Sequence, residues 1–286
     1  MAVSTDLLVP SAYPNANARP FVKWVGGKRG LMHQYEAFFP EEFGGYHEPF
    51  VGGGAVFFHL QPEAARLSDV NGRLIETYRA VRDDLPGLVD RLETHRERYS
   101  EDYFYQARER FNQRRGLTAL DRAALFIFLN KTCFNGLYRE NKRGNFNAPW
   151  GRRKNAPAMY DLPSLVAASG ALQDVDLLTA SFERVLDDAV EGDLVYFDPP
   201  YVPLSATSSF TSYAKGGFDD ALQIRLAQIF DKLARRGCYV MLSNSDCDVV
   251  RELYAGWRIE TVYAARAINS KGSGRGRIPE VLVCSW

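Results

Sequence analysis

The 286 residues are enough for one large core, or for a core plus an inserted module. Basic and acidic residues balance at 35 each, so a nucleic-acid role requires local segregation of charge rather than a global excess. Cys133, Cys238, Cys247 and Cys284 lie far apart, with no C-x-x-C pair and no histidine cluster, which argues against a disulfide framework or a zinc site.

Residues 1–18, rich in Ala, Pro, Asn and Ser, read as a loose lead-in without the pattern of a signal peptide. Short strands and helices then alternate. A strand is expected at 21–25, a tight turn at Gly26-Gly27-Lys28 and helical spacing over 31–39. A second strand follows at 46–51, a glycine turn at 52–54, a helix start at 55–60, and a third strand from 65 that ends at Asp69. This is the grammar of βαβ units. Residues 71–131 change character and read as several helices broken near Pro86 and Gly116. The longest apolar stretch, 123–129, belongs to a buried helix and is far too short for a membrane span. Residues 135–150 read as a hairpin turning at Asn141-Lys142-Arg143-Gly144.

Strand–helix alternation resumes near Asp174, and 193–197 form an apolar run that ends at the first proline of Asp198-Pro199-Pro200-Tyr201. Leu222, Leu226, Ile229, Phe230 and Leu233 line one helical face, capped by Asp220 with Gln223 three residues on. Strands at 238–242 and 281–284 complete the chain. The expected class is α/β, a doubly wound, Rossmann-like sheet interrupted by a helical plus β-hairpin insert. The insert is placed at 71–159, between segments 19–70 and 160–286 of the main domain.

The D-P-P-Y tetrapeptide sits where open α/β sheets bind ligands, at the carboxyl end of a strand. Its prolines hold φ near −65° and lack N–H groups, so the turn is stiff. Asp198 and the Pro199 carbonyl offer two acceptors, Pro200 pins that carbonyl, and Tyr201 offers an aromatic face. Together they suit a planar ring that carries an amino group.

The glycines of Glu48-Pro49-Phe50-Val51-Gly52-Gly53-Gly54 let the backbone approach a ligand closely where the strand meets its helix. Asp69, seventeen positions after Gly52, stands where Rossmann-like folds place a carboxylate on ribose hydroxyls. Neither G-x-G-x-x-G nor a P-loop is present, which favours an adenosyl ligand without phosphates, S-adenosylmethionine. Lys28 can reach the carboxylate of its methionine tail, and Trp24 can line the pocket.

F-x-x-x-G-G-K, E-P-F-x-G-G-G and D-P-P-Y, in that order and with an insert before the last, resemble the Dam-type DNA adenine-N6 methyltransferases. The likeness extends over Asn130-Lys131-Thr132-Cys133-Phe134-Asn135-Gly136-Leu137-Tyr138-Arg139, over 201–207, over Leu242-Ser243-Asn244-Ser245 and over 266–270. It implies that S-adenosylmethionine contacts Trp24, Lys28, Asp69 and Asp198, alongside Phe50, Gly52 and Gly54. It also implies that Asp198, Pro199, Pro200 and Tyr201 form the catalytic turn, that 71–159 recognise the target, and that the preferred site is GATC. S-adenosylhomocysteine would be the second product, with no metal required. The expected partner is double-stranded DNA, met by a monomeric cytoplasmic protein associated with the nucleoid.

Charge segregation points the same way. Lys131, Arg139, Lys142, Arg143, Arg152, Arg153 and Lys154 face a single acid, Glu140, on a hairpin of the kind that enters a groove. Arg139 can form a bidentate contact with a guanine edge, and Leu137 and Pro149 can touch a thymine methyl. Phe134, beside Asn135, can wedge into the stack vacated by the adenine, and Arg152 suits a phosphate. The family often has tyrosine where Phe134 stands, so a stacking role survives here and a hydroxyl contact does not. The basic stretch 271–277 is expected to form a loop near DNA, and 205–213 a loop over the active site.

Two other readings stay open. One is a different acceptor, such as cytosine N4, RNA adenine or a glutamine amide; Asp198 and the hairpin favour adenine in DNA. The other is a DNA-binding module with a dead transferase site, against which intact Lys28, Asp69, Asp198 and Tyr201 argue.

Overall fold

A computed structural model describes residues 18–113, 115–203, 218–265 and 277–286. The expected lead-in, the loop at 205–213 and most of the basic stretch at 271–277 lie outside the described residues. The protein is mixed α/β with a seven-stranded sheet. In chain order the first elements are α1 (Met32–Tyr35), β1 (Tyr46–Glu48), α2 (Ala55–Leu60) and β2 (Ala65–Asp69). Five helices and a strand follow: α3 (Gly72–Asp83), α4 (Leu85–Glu97), α5 (Glu101–Gln113), α6 (Ala119–Thr132), α7 (Leu162–Ala171) and β3 (Asp176–Thr179). The last are α8 (Val185–Asp188), β4 (Leu194–Phe197), α9 (Asp220–Arg235), β5 (Tyr239–Ser245), α10 (Asp248–Leu253), β6 (Arg258–Ala265) and β7 (Arg277–Cys284).

These elements divide into two compact units. One takes the described residues up to Gly27, Gly52–Gln61 and Asp69–Thr179; the other takes Lys28–Val51, Pro62–Ser68 and Ala180–Trp286.

In the second unit the strands pair in the order β2-β1-β4-β5-β7-β6. The β1–β2, β1–β4 and β4–β5 pairs are parallel, whereas β7 runs antiparallel to β5 and to β6. All four residues of β4 are buried, as a central strand covered on both faces requires. On one face Val195, Phe197, Val240 and Leu242 pack against Leu226, Ile229, Phe230 and Leu233 of α9. The expected stripe is therefore the buried one, but its cap is Asp219, whose side chain accepts the Leu222 N–H, not Asp220. β1 and β4 are neighbours whose chains depart toward opposite sides of the sheet, so their carboxyl ends frame a switch point of the kind that takes ligands.

In the first unit α6 is the hub, packed by α3, α4 and α5. Nine of its fourteen residues are buried, and Thr118 with Asp121 closes a capping box at its start. The helices break at Asp84, just before Pro86, and again around Gly116, with a further break at 98–100 that the sequence reading lacks.

Three sequence expectations need correction. Residues 21–25 are not a strand, because the Lys23 N–H and C=O bond the side-chain amide of buried Asn130, at 2.8 Å each, instead of a neighbouring strand. The strand at 46–51 ends at Glu48, since Pro49 brings no N–H to continue the ladder. The hairpin has its turn, with the Gly144 N–H on the Asn141 carbonyl at 2.8 Å, but only isolated bridges at Cys133–Trp150 and Glu140–Phe146. Its few cross-strand backbone bonds, Phe134 N–H to the Pro149 carbonyl, Asn147 N–H to the Arg139 carbonyl and Asn141 N–H to the Asn145 carbonyl, each 2.9 Å, are supplemented by side chains of α5. The Asn112 amide takes both backbone groups of Phe146, at 2.9 and 3.0 Å, and Arg108 donates to the Ala148 carbonyl at 3.2 Å.

Candidate active site and nucleic-acid surface

In the second unit the D-P-P-Y turn leaves β4 as the sequence predicts, and its neighbours supply a dense set of ties. The Asp198 carboxylate uses Oδ1 twice, accepting from Lys28 Nζ at 2.8 Å and from Ser243 Oγ at 2.9 Å. Lys28 is buried although it is a lysine, and the pair is the compensation that a buried ammonium requires. The same ammonium lies 4.7 Å from the centre of the Tyr201 ring. Among the described residues no protein hydrogen bond reaches Asp198 Oδ2 or the Pro199 carbonyl. Those two acceptors stay available on one rigid turn.

Tyr201 is half-buried, and its hydroxyl donates to Glu280 Oε2 on β7 at 2.8 Å. Burial, the Asp198 charge and the Glu280 charge hold the Tyr201 phenol well above its usual range, and the same forces act on Tyr35. Tyr196 is raised chiefly by burial and by Asp198. Burial also raises Glu280, against the pull of Lys28. The phenols around Asp198 are therefore hydrogen-bond donors rather than bases near neutral pH. Phe50 packs its ring on Phe182, 5.3 Å between centroids, and edges against Phe197 and Phe218.

In the first unit the glycine turn and Asp69 meet directly. Gly52 sits at φ +46°, and its N–H donates to Asp69 Oδ2 at 3.2 Å; the Asn71 N–H donates to Oδ1 at 2.8 Å. Burial outweighs these two bonds and pushes the Asp69 carboxyl up to about 6. A Cβ at Gly52 would stand 2.5 Å from Trp24 Cδ1, and one at Gly54, φ +68°, would stand 2.7 Å from the Tyr78 hydroxyl. Only glycine fits either place. Trp24 stacks on Tyr138 (5.5 Å, 22°) and Tyr138 on Phe126 (4.8 Å, 27°), which ties the residue predicted to line the cofactor pocket to the base of the hairpin.

The hairpin residues predicted to meet DNA differ in how they are held. Phe134 is 53% exposed, an unusual state for so large an apolar ring. Asn135 beside it is exposed in a left-handed conformation (φ +56°). Pro149 and Arg152 are exposed, Arg152 also at positive φ (+53°), while Leu137 is half-buried. Arg139 is braced: its Nε donates to Asn147 Oδ1 at 2.7 Å and its Nη2 to the Asn147 carbonyl at 3.1 Å. Lys131 is buried enough that desolvation, with Lys23 close by, lowers its ammonium to about 8.

The structure thus brings Lys28, Asp198 and Tyr201 together in one unit and Trp24, Gly52, Gly54 and Asp69 in the other. Four residues around the turn have no site role assigned from the sequence: Glu280; Ser243 and Asn244, seen only as part of a family string; and Gln223, expected only as a capping partner of Asp220. Their signal was polarity in apolar surroundings, since Ser243-Asn244-Ser245 ends a buried strand and Gln223 falls on the buried side of α9. Among the described residues no group of three or more His, Cys, Asp or Glu is arranged to hold a metal, and no helix is long and apolar enough to cross a membrane.

Comparison with known proteins gives the family. Residues 24–268 match the D12 class N6 adenine-specific DNA methyltransferases. The chain is 42% identical over 288 residues to the type II methyltransferase M.MjaIII of Methanocaldococcus jannaschii, covering 94% of this chain and 99% of the relative. It is 39% identical over 274 residues to the type II methyltransferase M1.LlaDCHI of Lactococcus lactis, covering 94% and 96%. The DNA adenine methylase of Escherichia coli K12 is 35% identical over 267 residues, covering 92% and 94%.

Proposed function

Because the chain belongs to the D12 class of N6 adenine-specific DNA methyltransferases, we propose that it moves a methyl group from S-adenosylmethionine to the exocyclic amine of an adenine flipped out of duplex DNA, at GATC. The observation that carries the reading is the Asp198 carboxylate, held through Oδ1 by Lys28 and Ser243, which leaves Oδ2 and the Pro199 carbonyl without a protein hydrogen bond among the described residues. A paired, stacked adenine cannot present its amine to them, so the base must leave the helix. Its two N–H groups then bond to Oδ2 and the Pro199 carbonyl, which aims the nitrogen lone pair at the incoming methyl. The Tyr201 face, steadied by Glu280, supports the ring.

S-adenosylmethionine supplies a methyl already activated on a cationic sulfur; the chain supplies position and exclusion of water. Asp198 need not be a strong base, because the amine can release its proton after the methyl arrives. The cofactor fits the residues present. Asp69 accepts one backbone N–H per oxygen and keeps lone pairs for ribose hydroxyls, and Gly52 lets a ligand approach the backbone. Residues 71–159 are proposed as the recognition module. Arg139 is proposed to read guanine, with Leu137 and Pro149 against thymine methyls, Phe134 and Asn135 at the vacated stack, and Arg152 on phosphate.

The test is transfer of labelled methyl from S-adenosylmethionine to a GATC duplex and to duplexes altered at each base, followed by nucleoside mass spectrometry. N6-methyladenine confined to the GATC duplex is expected. N4-methylcytosine, or equal transfer to every duplex, would refute the reading.

A further inference from the structure

The prolines that stiffen the D-P-P-Y turn also remove two of its four N–H groups, which leaves its backbone few donors of its own. Two side-chain amides fasten it instead. Gln223, in the first turn of α9, donates from Nε2 to the Pro200 carbonyl at 3.0 Å. Gln223 Oε1 accepts from Asn244 Nδ2 at 3.2 Å, and Asn244 Oδ1 accepts the Val202 N–H at 3.1 Å and the Ser245 N–H at 2.8 Å. Ser245 Oγ returns to the Val202 carbonyl at 2.6 Å. The chain of bonds starts on an N–H of the loop and ends on a carbonyl of the same loop. Each anchor can play only one part, so the orientation of both amides is determined. Both side chains are buried, Asn244 completely and Gln223 at 3% exposure, among apolar groups that tolerate an amide only when it is bonded.

We propose that Gln223 and Asn244 form a relay that positions the methyl acceptor. Pinning the Pro200 carbonyl fixes ψ of a residue whose φ its ring already fixes. The planar peptide between Pro199 and Pro200 is thereby oriented, and with it the Pro199 carbonyl. The relay rests on the acceptor pair described under the proposed function, and it makes Gln223 a positioning residue that never touches substrate.

The test compares wild type, Gln223→Met and Gln223→Glu in single-turnover methylation at saturating duplex and S-adenosylmethionine, with both affinities measured separately. Gln223→Met keeps the bulk and loses the bonds. Its saturated rate should fall at least tenfold while both affinities stay within threefold. Gln223→Glu can accept from Asn244 when ionised but can donate to the Pro200 carbonyl only when protonated. Its rate relative to wild type should therefore climb as pH is lowered, a signature that mere space-filling does not produce. Hydrogen exchange at the Val202 amide, read without DNA or cofactor, should quicken at least tenfold in Gln223→Met. Wild-type exchange and rate in Gln223→Met, or a flat pH ratio in Gln223→Glu, would overturn the relay. A wild type that methylates no duplex refutes the function itself, whereas a wild type and Gln223→Met that methylate equally refute only the relay.

Discussion

The D-P-P-Y turn and the basic hairpin are both irregular segments, yet they are held in opposite ways. Around the turn, Lys28, Ser243, Asn244, Ser245, Gln223 and Glu280 reach in from four elements to hold Asp198, the Pro200 carbonyl, both backbone groups of Val202 and the Tyr201 hydroxyl. The hairpin is held across its strands and by side chains of α3 and α5, while Phe134, Asn135, Pro149 and Arg152 stay exposed. The difference teaches where precision is needed before the substrate arrives. Transfer of a methyl group rewards a preformed acceptor geometry, and reordering it during the reaction would add to the barrier. Reading a duplex rewards side chains that stay accessible until the duplex is present. Arg139 is the intermediate case, exposed enough to reach out and braced by Asn147.

The largest expected effect breaks the turn. Asp198→Ala removes one of the two acceptors proposed for the amine, and the rate should fall about a thousandfold, equivalent to ~4 kcal/mol of transition-state stabilisation. It also removes the Asp198 carboxylate from the buried Lys28 ammonium, so melting temperature should drop as well. Asp198→Asn separates the two effects, because its one oxygen can stay on Lys28 and Ser243 while its NH2 takes the place of Oδ2, so the rate should still fall but the melting temperature should drop less than in Asp198→Ala. Single-turnover rates beside thermal melts of both variants are the measurement. A fully active Asp198→Ala enzyme would refute the acceptor pair.

The next effect sharpens the hairpin side. Arg139→Ala should cost about 1–3 kcal/mol of discrimination at one base of the site, so that preference relaxes instead of scaling down uniformly. Asn147→Ala should produce a weaker copy of the same change, since it removes a brace and not the reader. Rates on GATC and its singly altered variants decide this. Uniform loss across all duplexes would make Arg139 part of an electrostatic clamp.

A smaller effect lies in the first unit. The Asp69 carboxyl is raised to about 6 by burial, so the folded protein gains stability from protonating it, and loses that contribution as pH rises from about 3.8 through 6. Ribose hydroxyls bond best to the ionised carboxylate. Affinity for S-adenosylmethionine should therefore weaken as pH falls below about 6, by up to tenfold per unit. Calorimetry across that range should show the slope in wild type and its absence in Asp69→Asn.

What could be read in the sequence divides along the same line as the two regions. The glycine turn, Asp69 and D-P-P-Y were legible because their chemistry is local: a turn, a strand end and the residues that follow. Gly52 and Asp69 were paired on spacing alone, and the structure joins them by a hydrogen bond. The ties that hold these pieces were not legible. Asn130 clasps the Lys23 backbone across 107 positions, and that long-range bond turned an expected strand into an irregular segment. Ser243 and Asn244 were visible as a family string, but their roles depend on which face of β5 meets the turn and which meets α9. The sequence points Lys28 to a cofactor carboxylate, and only the fold reveals that it lies against Asp198. The hairpin was recognisable by its turn, but the side chains of α5 that complete its hydrogen bonding carry no such signature.

The smallest expected effect separates holding from reading within the hairpin. Arg152 is exposed, with its backbone at φ +53° and its side chain directed to solvent rather than into a brace like that of Arg139. A guanidinium so placed suits a phosphate, and a phosphate contact carries no sequence information. Arg152→Ala should therefore weaken GATC and every altered duplex by the same factor. The slope of log affinity against log salt should become shallower by about 0.9, the share of one phosphate, so that moving from 50 to 200 mM salt costs the variant roughly threefold to fourfold less than wild type. Because αL geometry strains a residue that carries a Cβ, Arg152→Gly keeps the backbone and removes the charge, and it should reproduce the shallower slope. Equilibrium binding of both variants to two duplexes at several salt concentrations is the measurement. A change in preference between the duplexes would move Arg152 from the holding set to the reading set, and an unchanged slope in both variants would remove it from the DNA surface altogether.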